Sequence, residues 1–211
     1  MAKDLGFVHR FVPGEENDWT TLLLLHGTGG DEDDLIPLGR MLRESAALLS
    51  PRGKVLENGA PRFFRRLEEG VFDEEDLVNR THELAEFVEQ AVSEYDLDPG
   101  RIFAVGFSNG ANIAGSLLLL YPSLLAGAVL LRAMVPFEPE EMPDLSGTPV
   151  YLAAGRSDQM VPPENTERLA ELLQEAGAEV ELHWQPRGHD LGSDEIKAAR
   201  DWLAEATARA G

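Results

Sequence analysis

The chain contains no cysteine. That excludes disulfides, thiol nucleophiles and thiolate metal sites together, and it fits a reducing compartment. Positive charge is also scarce: 18 lysines and arginines stand against 38 aspartates and glutamates, a formal net charge of −20. Nucleic acid and anionic membrane surfaces would repel such a molecule, so neither is expected as a partner. Lysine occurs only at Lys3, Lys54 and Lys197, so the basic residues are nearly all arginine. There is no internal repeat, no low-complexity segment and no Gly/Ser linker in the 211 residues, and one domain spanning 1–211 is expected. The opening stretch MAKDLGFVHR lacks an apolar signal-peptide core, so a cytoplasmic location is the expectation. One run, 115–135, has the length of a membrane span, but Pro122 splits it and Tyr121, Ser123 and Arg132 interrupt it. A helix ending near Tyr121 followed by a buried strand explains that run better, so no membrane span is expected.

What is present is an alternation of short β-like runs with longer helix-like ones. FVHRFVP (7–13) alternates and reads as an antiparallel edge strand. TTLLLLHG (20–27) is continuously apolar, as in a strand buried on both faces. Asp33 or Asp34 is placed to cap a helix running to about Ala47, and ALLSP is a brief strand. Residues 53–72 show no clear period and read as an excursion over the surface. Helical spacing covers 76–95. Strand 102–105, helix 111–121, strand 128–131, strand 150–153, helix 164–176 with Gly177 as its cap, strand 180–184 and helix 193–208 complete the series. Alternation of this kind implies an α/β fold: a mostly parallel sheet of about seven strands with helices on both faces. Ligands of such sheets sit beyond the carboxyl ends of the strands, so the residues there are the place to seek chemistry.

After strand 102–105 comes Gly106-Phe107-Ser108-Asn109-Gly110. Glycines on both sides let a strand and a helix approach closely, and the turn lifts the Ser108 hydroxyl to a helix N-terminus. A hydroxyl needs a base to become a nucleophile. Of the five histidines, His9 and His82 read as surface residues, and His183 lies within a strand in a cross-strand role. His189, in the loop QPRGHDLGS after the last strand, is the favoured base. An acid must then fix the imidazole tautomer. Asp158 follows strand 150–153 in a loop stiffened by Pro162 and Pro163. Asp190 adjoins His189, where neighbouring side chains seldom meet, and Asp144 lies at the wrong end of its strand. Asp158 is favoured on those grounds. An oxyanion hole is expected from the backbone N–H of Asn109 and from the loop His26-Gly27-Thr28-Gly29-Gly30, with Thr28 first and Gly29 second as donor. His26 is expected to brace that loop by a hydrogen bond.

Taken together, LLLLHGTGGDEDDL, GFSNGANIA, GRSDQMVPPENTERL and RGHDLGSDEI resemble the α/β-hydrolase superfamily. The closest likeness is to its small phospholipase/carboxylesterase family, which includes acyl-protein thioesterase-like enzymes. SPRGKVLENGAPRFFRR resembles a signature of a bacterial subgroup of carboxylesterases, some associated with quinone resistance. The resemblance covers nearly the whole chain. It implies a three-layer fold without a large cap domain, a triad of Ser108, Asp158 and His189, and oxyanion donors at Thr28 and Asn109. Many relatives carry Gln where this chain has Asn109; a backbone donor is unaffected by that change. The implied activity is hydrolysis of small or short-to-medium-chain carboxylic esters through an acyl-enzyme. A thioesterase or lysophospholipase with the same triad is the alternative, and a non-catalytic binding protein a more distant one. A small-molecule ester is then the expected partner, with room for a homodimer, and no metal or cofactor is required. For the pocket, Phe64, Met134 and Val161 are candidates, with Met134 and Val135 placed for the acyl side. Phe63 and Phe64 either fold over the site or anchor a surface loop. Arg132 either meets a substrate carboxylate or, as favoured, pairs with a nearby glutamate.

Overall fold

Strand β2 (Thr21–Leu25) is a threonine followed by four leucines, and every residue of it is buried. Successive strand residues point to opposite faces, so such a run must be covered on both. In the computed structural model, which describes residues 5–209, Leu23 and Leu25 join one hydrophobic core and Leu22 and Leu24 a second. Strands β8 (Ile102–Phe107), β9 (Gly127–Leu131) and β10 (Pro149–Gly155) divide in the same way. Ala104, Leu130 and Leu152 face the first core; Phe103, Val129 and Tyr151 face the second. Helices α2 (Glu74–Tyr95), α3 (Asn109–Leu120) and α4 (Pro163–Glu175) cover the first core with Leu84, Leu117 and Leu173. Helices α1 (Ile36–Leu42) and α5 (Ser193–Arg209) cover the second with Leu38 and Leu203.

These strands belong to a seven-stranded sheet in the order β1-β3-β2-β8-β9-β10-β11. Strand β1 (His9–Val12) runs antiparallel to β3 (Ala47–Pro51) at one edge, as the alternation at 7–13 predicts, and the remaining neighbours, out to β11 (Glu179–Gln185), are parallel. The three-layer, mostly parallel α/β architecture expected from the sequence is the architecture observed. All the parallel strands deliver their carboxyl ends to one edge, where the loops after β2, β8, β9, β10 and β11 meet.

Two local expectations are corrected. Helix α1 stops at Leu42, short of Ala47, and neither Asp33 nor Asp34 caps it: Leu35 occupies the cap without a side-chain hydrogen bond, and Asp33 pairs with Arg10. Pro37 sets the start because the first turn needs no N–H from it. The end is set by the sheet: Ala47 pairs with Thr21, and that tertiary contact outweighs the helix propensity of the two alanines. Residues 53–72, expected as an irregular excursion, form two hairpins. Strands β4 (Val55–Glu57) and β5 (Ala60–Arg62) are joined by Asn58-Gly59, both at positive φ, which suits a tight two-residue turn. Strands β6 (Arg66–Glu68) and β7 (Val71–Phe72) form the second pair. The Asn-Gly dipeptide between short β-like runs is the signal that identifies the first hairpin from sequence.

Candidate active site

Ser108 sits between β8 and α3 at φ 52° and ψ −117°. Residues with a Cβ rarely occupy that region, and the conformation costs about 1–3 kcal/mol, so it persists only where its surroundings enforce it. Here they do. The Ser108 N–H donates to the Leu131 carbonyl at 2.8 Å, and the Ser108 carbonyl accepts from the Asn112 N–H at 3.0 Å. A Cβ at Gly106 would lie 2.6 Å from the Ala111 Cα, and one at Gly110 only 1.9 Å from the Leu25 carbonyl oxygen. Helix, elbow and strand β2 are therefore packed as tightly as bare backbone permits.

His189 Nε2 lies 2.9 Å from Ser108 Oγ, and its Nδ1 lies 2.8 Å from Asp158 Oδ2. A carboxylate only accepts, so Nδ1 carries the proton and Nε2 is free to accept from the serine hydroxyl. The Asp158 side chain is 1% exposed. Its Oδ1 accepts from the N–H groups of Met160 (2.8 Å) and Val161 (3.1 Å), which turns the second oxygen toward the imidazole. The rejected acids are elsewhere. Asp190 is exposed and pairs with Arg187 at 3.0 Å, and Asp144 is exposed and accepts from the Ser146 N–H. His183 stacks on Tyr151, His9 meets Tyr95 at 2.6 Å and His82 meets Tyr121 at 2.7 Å, so none of these reaches Ser108.

The loop after β2 is braced as expected. His26 is buried, its Nδ1 donating to the Gly27 carbonyl (2.6 Å) while Nε2 accepts from the Gly53 N–H (3.0 Å). Burial holds its pKa below the usual histidine range, in line with a neutral ring satisfied on both nitrogens. The two candidate oxyanion donors in this loop differ. The Gly29 N–H is spent on the Pro61 carbonyl at 2.9 Å, whereas the N–H groups of Thr28 and Asn109 make no hydrogen bond among the described residues. The Asn109 side chain is buried; its Oδ1 accepts from the Phe63 N–H, and its Nδ2 has no partner among the described residues.

Arg132 carries more structure than its sequence context suggests. It follows β9 at φ 60° with a side chain 0% exposed. Its guanidinium pairs with both oxygens of the buried Glu195 and donates to the carbonyls of Gly188 (3.0 Å) and Asp190 (2.6 Å). These carbonyls flank His189, so one buried cation fixes the loop that holds the imidazole. Of the two readings of Arg132, pairing with a glutamate is the one observed. Glu195, in the first turn of α5, carries no sequence signal: it is one acid in a series that reads as a solvated helix start.

A cleft with about 420 Å3 of unfilled space, open to solvent, lies over Ser108 and His189. Met134 and Val161 line it, while Val135 packs toward the core. Phe64 does not line it. Its ring is fully buried in the first core against Phe72, and Phe72 takes the place on the wall. Of the two readings of Phe63 and Phe64, anchoring holds, because adjacent aromatics at the root of the hairpins bury more apolar area in the core than over an open cleft. Arg62 and Arg66 also border the cleft.

The chain's likeness to known proteins agrees with this geometry. The family model described as Phospholipase/Carboxylesterase matches residues 9–207. MhqD of Bacillus subtilis (strain 168) is 51% identical over 185 residues, covering 88% of this chain and 92% of that one. A carboxylesterase from Bacillus cereus superimposes with a TM-score of 0.93 at 49% identity over 95% of both chains. One from Mesorhizobium loti does so with a TM-score of 0.90 at 34% identity over 95% and 96%. With its seven-stranded sheet, its serine elbow and these relatives, the chain belongs to the phospholipase/carboxylesterase family of α/β-hydrolases, enzymes that act on ester bonds.

Proposed function

We propose that this protein hydrolyses small carboxylic esters, with short-to-medium acyl chains, through an acyl-enzyme formed on Ser108. The observation that carries the reading is one imidazole bridging Ser108 Oγ at 2.9 Å and the buried Asp158 carboxylate at 2.8 Å. His189 Nε2 takes the hydroxyl proton as Oγ attacks the ester carbonyl carbon. The carbonyl π electrons move to oxygen, and the N–H groups of Thr28 and Asn109 receive the oxyanion; each such donor contributes about 3–4 kcal/mol in the transition state. Asp158 stabilises the imidazolium without taking the proton. Collapse of the intermediate expels the alcohol, which collects the proton from Nε2. Water then attacks the acyl-Ser108, again through His189, and the acid leaves. A small cleft limits the acyl chain it accepts.

A fluorophosphonate probe should label Ser108, located by peptide mass spectrometry. Ser108→Ala should remain unlabelled and lose roughly 10^4-fold or more in p-nitrophenyl acetate turnover. Turnover retained by the alanine variant would refute the assignment. A series of acyl esters of graded length, with a thioester and a lysophospholipid alongside, should give its highest kcat/KM at the short end of the oxygen esters.

A further inference from the structure

One cation in the cleft has no role in the chemistry above. Arg62 ends β5 with a side chain 4% exposed. Its Nη1 donates to Thr28 Oγ1 at 2.7 Å and its Nε to the Phe64 carbonyl at 3.2 Å, while Nη2 has no hydrogen-bond partner among the described residues. Its counter-ion is shared. Glu57 Oε2 is 3.3 Å from Arg62 Nε, but Arg66 engages both oxygens of the same carboxylate, at 2.8–3.1 Å. Two guanidinium groups therefore lean on one carboxylate, and the more buried one has the poorer share. Burial, with the Arg66 charge acting in the same direction, holds the Arg62 pKa below its ordinary value.

The other charges at the cleft do not absorb this surplus. Arg132 is neutralised by Glu195, Asp158 is committed to His189, and Glu69 is exposed at the rim. The placement also runs against the whole molecule. At −20 the protein repels anions at long range, but water and salt screen that field over about 8–10 Å. A buried fork at contact distance acts where the field no longer does, and guanidinium geometry matches a carboxylate with two parallel hydrogen bonds.

We infer that Arg62, with Arg66 beside it, recognises a carboxylate carried by the ester substrate a few bonds from the scissile carbonyl. The inference rests on the reading of Ser108 and Thr28 given above. Arg62 bonds the side chain of the residue whose N–H is assigned to the oxyanion, so the guanidinium and the reacting carbonyl are separated by little more than one residue. The substrate class is then a half ester of a short dicarboxylic acid, with the carboxylate on the acyl side, or an O-acyl derivative of a short hydroxy acid, with the carboxylate on the alcohol side.

Matched substrate pairs separate the two. Monomethyl succinate is compared with methyl 4-methylpentanoate, and acetoxyacetate with isobutyl acetate, by pH-stat. In each pair a carboxylate replaces an isosteric branched alkyl end. The expected result is a preference of about tenfold or more in kcat/KM for the charged member of one pair, shrinking as salt rises from low to high. Arg62→Met should bring that ratio to within about threefold of unity, whatever happens to the absolute rate, and Arg62→Lys should keep part of it. Should the methionine variant not fold, Arg62→Lys and Arg66→Met each should lower the charged-to-neutral ratio by at least about threefold. A wild-type enzyme that hydrolyses both neutral esters and prefers neither charged one overturns the inference and leaves the esterase reading standing. A preference that survives Arg62→Met overturns it as well. No turnover of any ester, with Ser108 unlabelled by fluorophosphonate, removes both.

Discussion

Ser108 and His189 meet at 2.9 Å, but different forces hold them there. The serine elbow is held by backbone: Gly106 and Gly110 let α3 lie against β8 and β2 with no side chain between, and Ser108 takes the turn at positive φ. The histidine loop is held by charge: Arg132, neutralised by the buried Glu195, donates to the carbonyls on either side of His189. An elbow of close-packed backbone has no adjustable part, so it fails by clash. An ionic clamp fails by leaving a charge uncompensated, and its two halves can be removed together. The loop after β2, which carries Thr28, is braced by the imidazole of His26.

The strongest test of the backbone half is Gly110→Ala. Its methyl group would stand 1.9 Å from the Leu25 carbonyl oxygen, so strand or helix must move. A loss of about 3 kcal/mol or more is expected, seen by calorimetry as a fall in Tm of roughly 6–12 °C, or as failure to fold. An unchanged Tm would show that the elbow is looser than the close approach implies.

Arg132→Met tests the charged half. It strands Glu195 in the interior at a cost of about 3–5 kcal/mol, and Glu195→Leu strands Arg132 at a similar cost. The double variant should recover most of the stability, because apolar groups replace a pair whose desolvation was never cheap. It should not recover kcat, because the Gly188 and Asp190 carbonyls remain unpinned. KM should change little. Recovery of both stability and kcat would make the clamp a purely structural device.

A smaller, pH-dependent effect is expected at His26. Its folded pKa is depressed by burial, while the unfolded chain has the ordinary value of 6.5. Above pH 6.5 both states are neutral there and the group contributes no slope. Below it the unfolded chain binds the proton first, so stability falls with falling pH, by at most about 1.4 kcal/mol per unit for this one site. Urea midpoints between pH 7 and 5 for wild type and His26→Gln should reveal that slope in the wild type and its loss in the variant.

The smallest expected effect is at Asp190, the acid next to His189 in sequence. Its exposed pair with Arg187 should contribute less than about 0.5 kcal/mol, so Asp190→Asn should leave kcat within about twofold and Tm within about 1–2 °C. A loss comparable to that of a buried acid would mean that sequence neighbours, not the residue 31 positions away, orient the imidazole.

How much of this was legible depended on the range of the interaction. The apolar runs at β2 and β8 named buried parallel strands because both faces of each are covered. Gly-x-Ser-x-Gly named its turn because the close approach needs bare backbone within five consecutive residues. Helix α1 is shorter than its local sequence suggests, since Ala47 is claimed by a strand partner 26 residues earlier. The core, not the cleft, holds Phe64, and aromatic character alone does not say which side of a hairpin root a ring takes. Glu195 and the Arg132 clamp left no local trace. A buried ion pair between the residue after β9 and the first turn of α5 spans 63 residues, and each partner alone looks like a surface charge.

By itself the amino-acid order determined the alternation of strands and helices, the edge at which loops would gather, and the candidate trio of alcohol, imidazole and carboxylate, since each of these follows from periodicity or from the residue types a short turn tolerates. Only the folded chain decided which N–H groups stay unspent beside Ser108, which arginine is neutralised and which is left with a share of a carboxylate, and which ring borders the cleft. Those are questions of who reaches whom across the sheet edge, and contact between residues distant in the chain is settled by packing and by the cost of burying charge, neither of which a local stretch of sequence encodes.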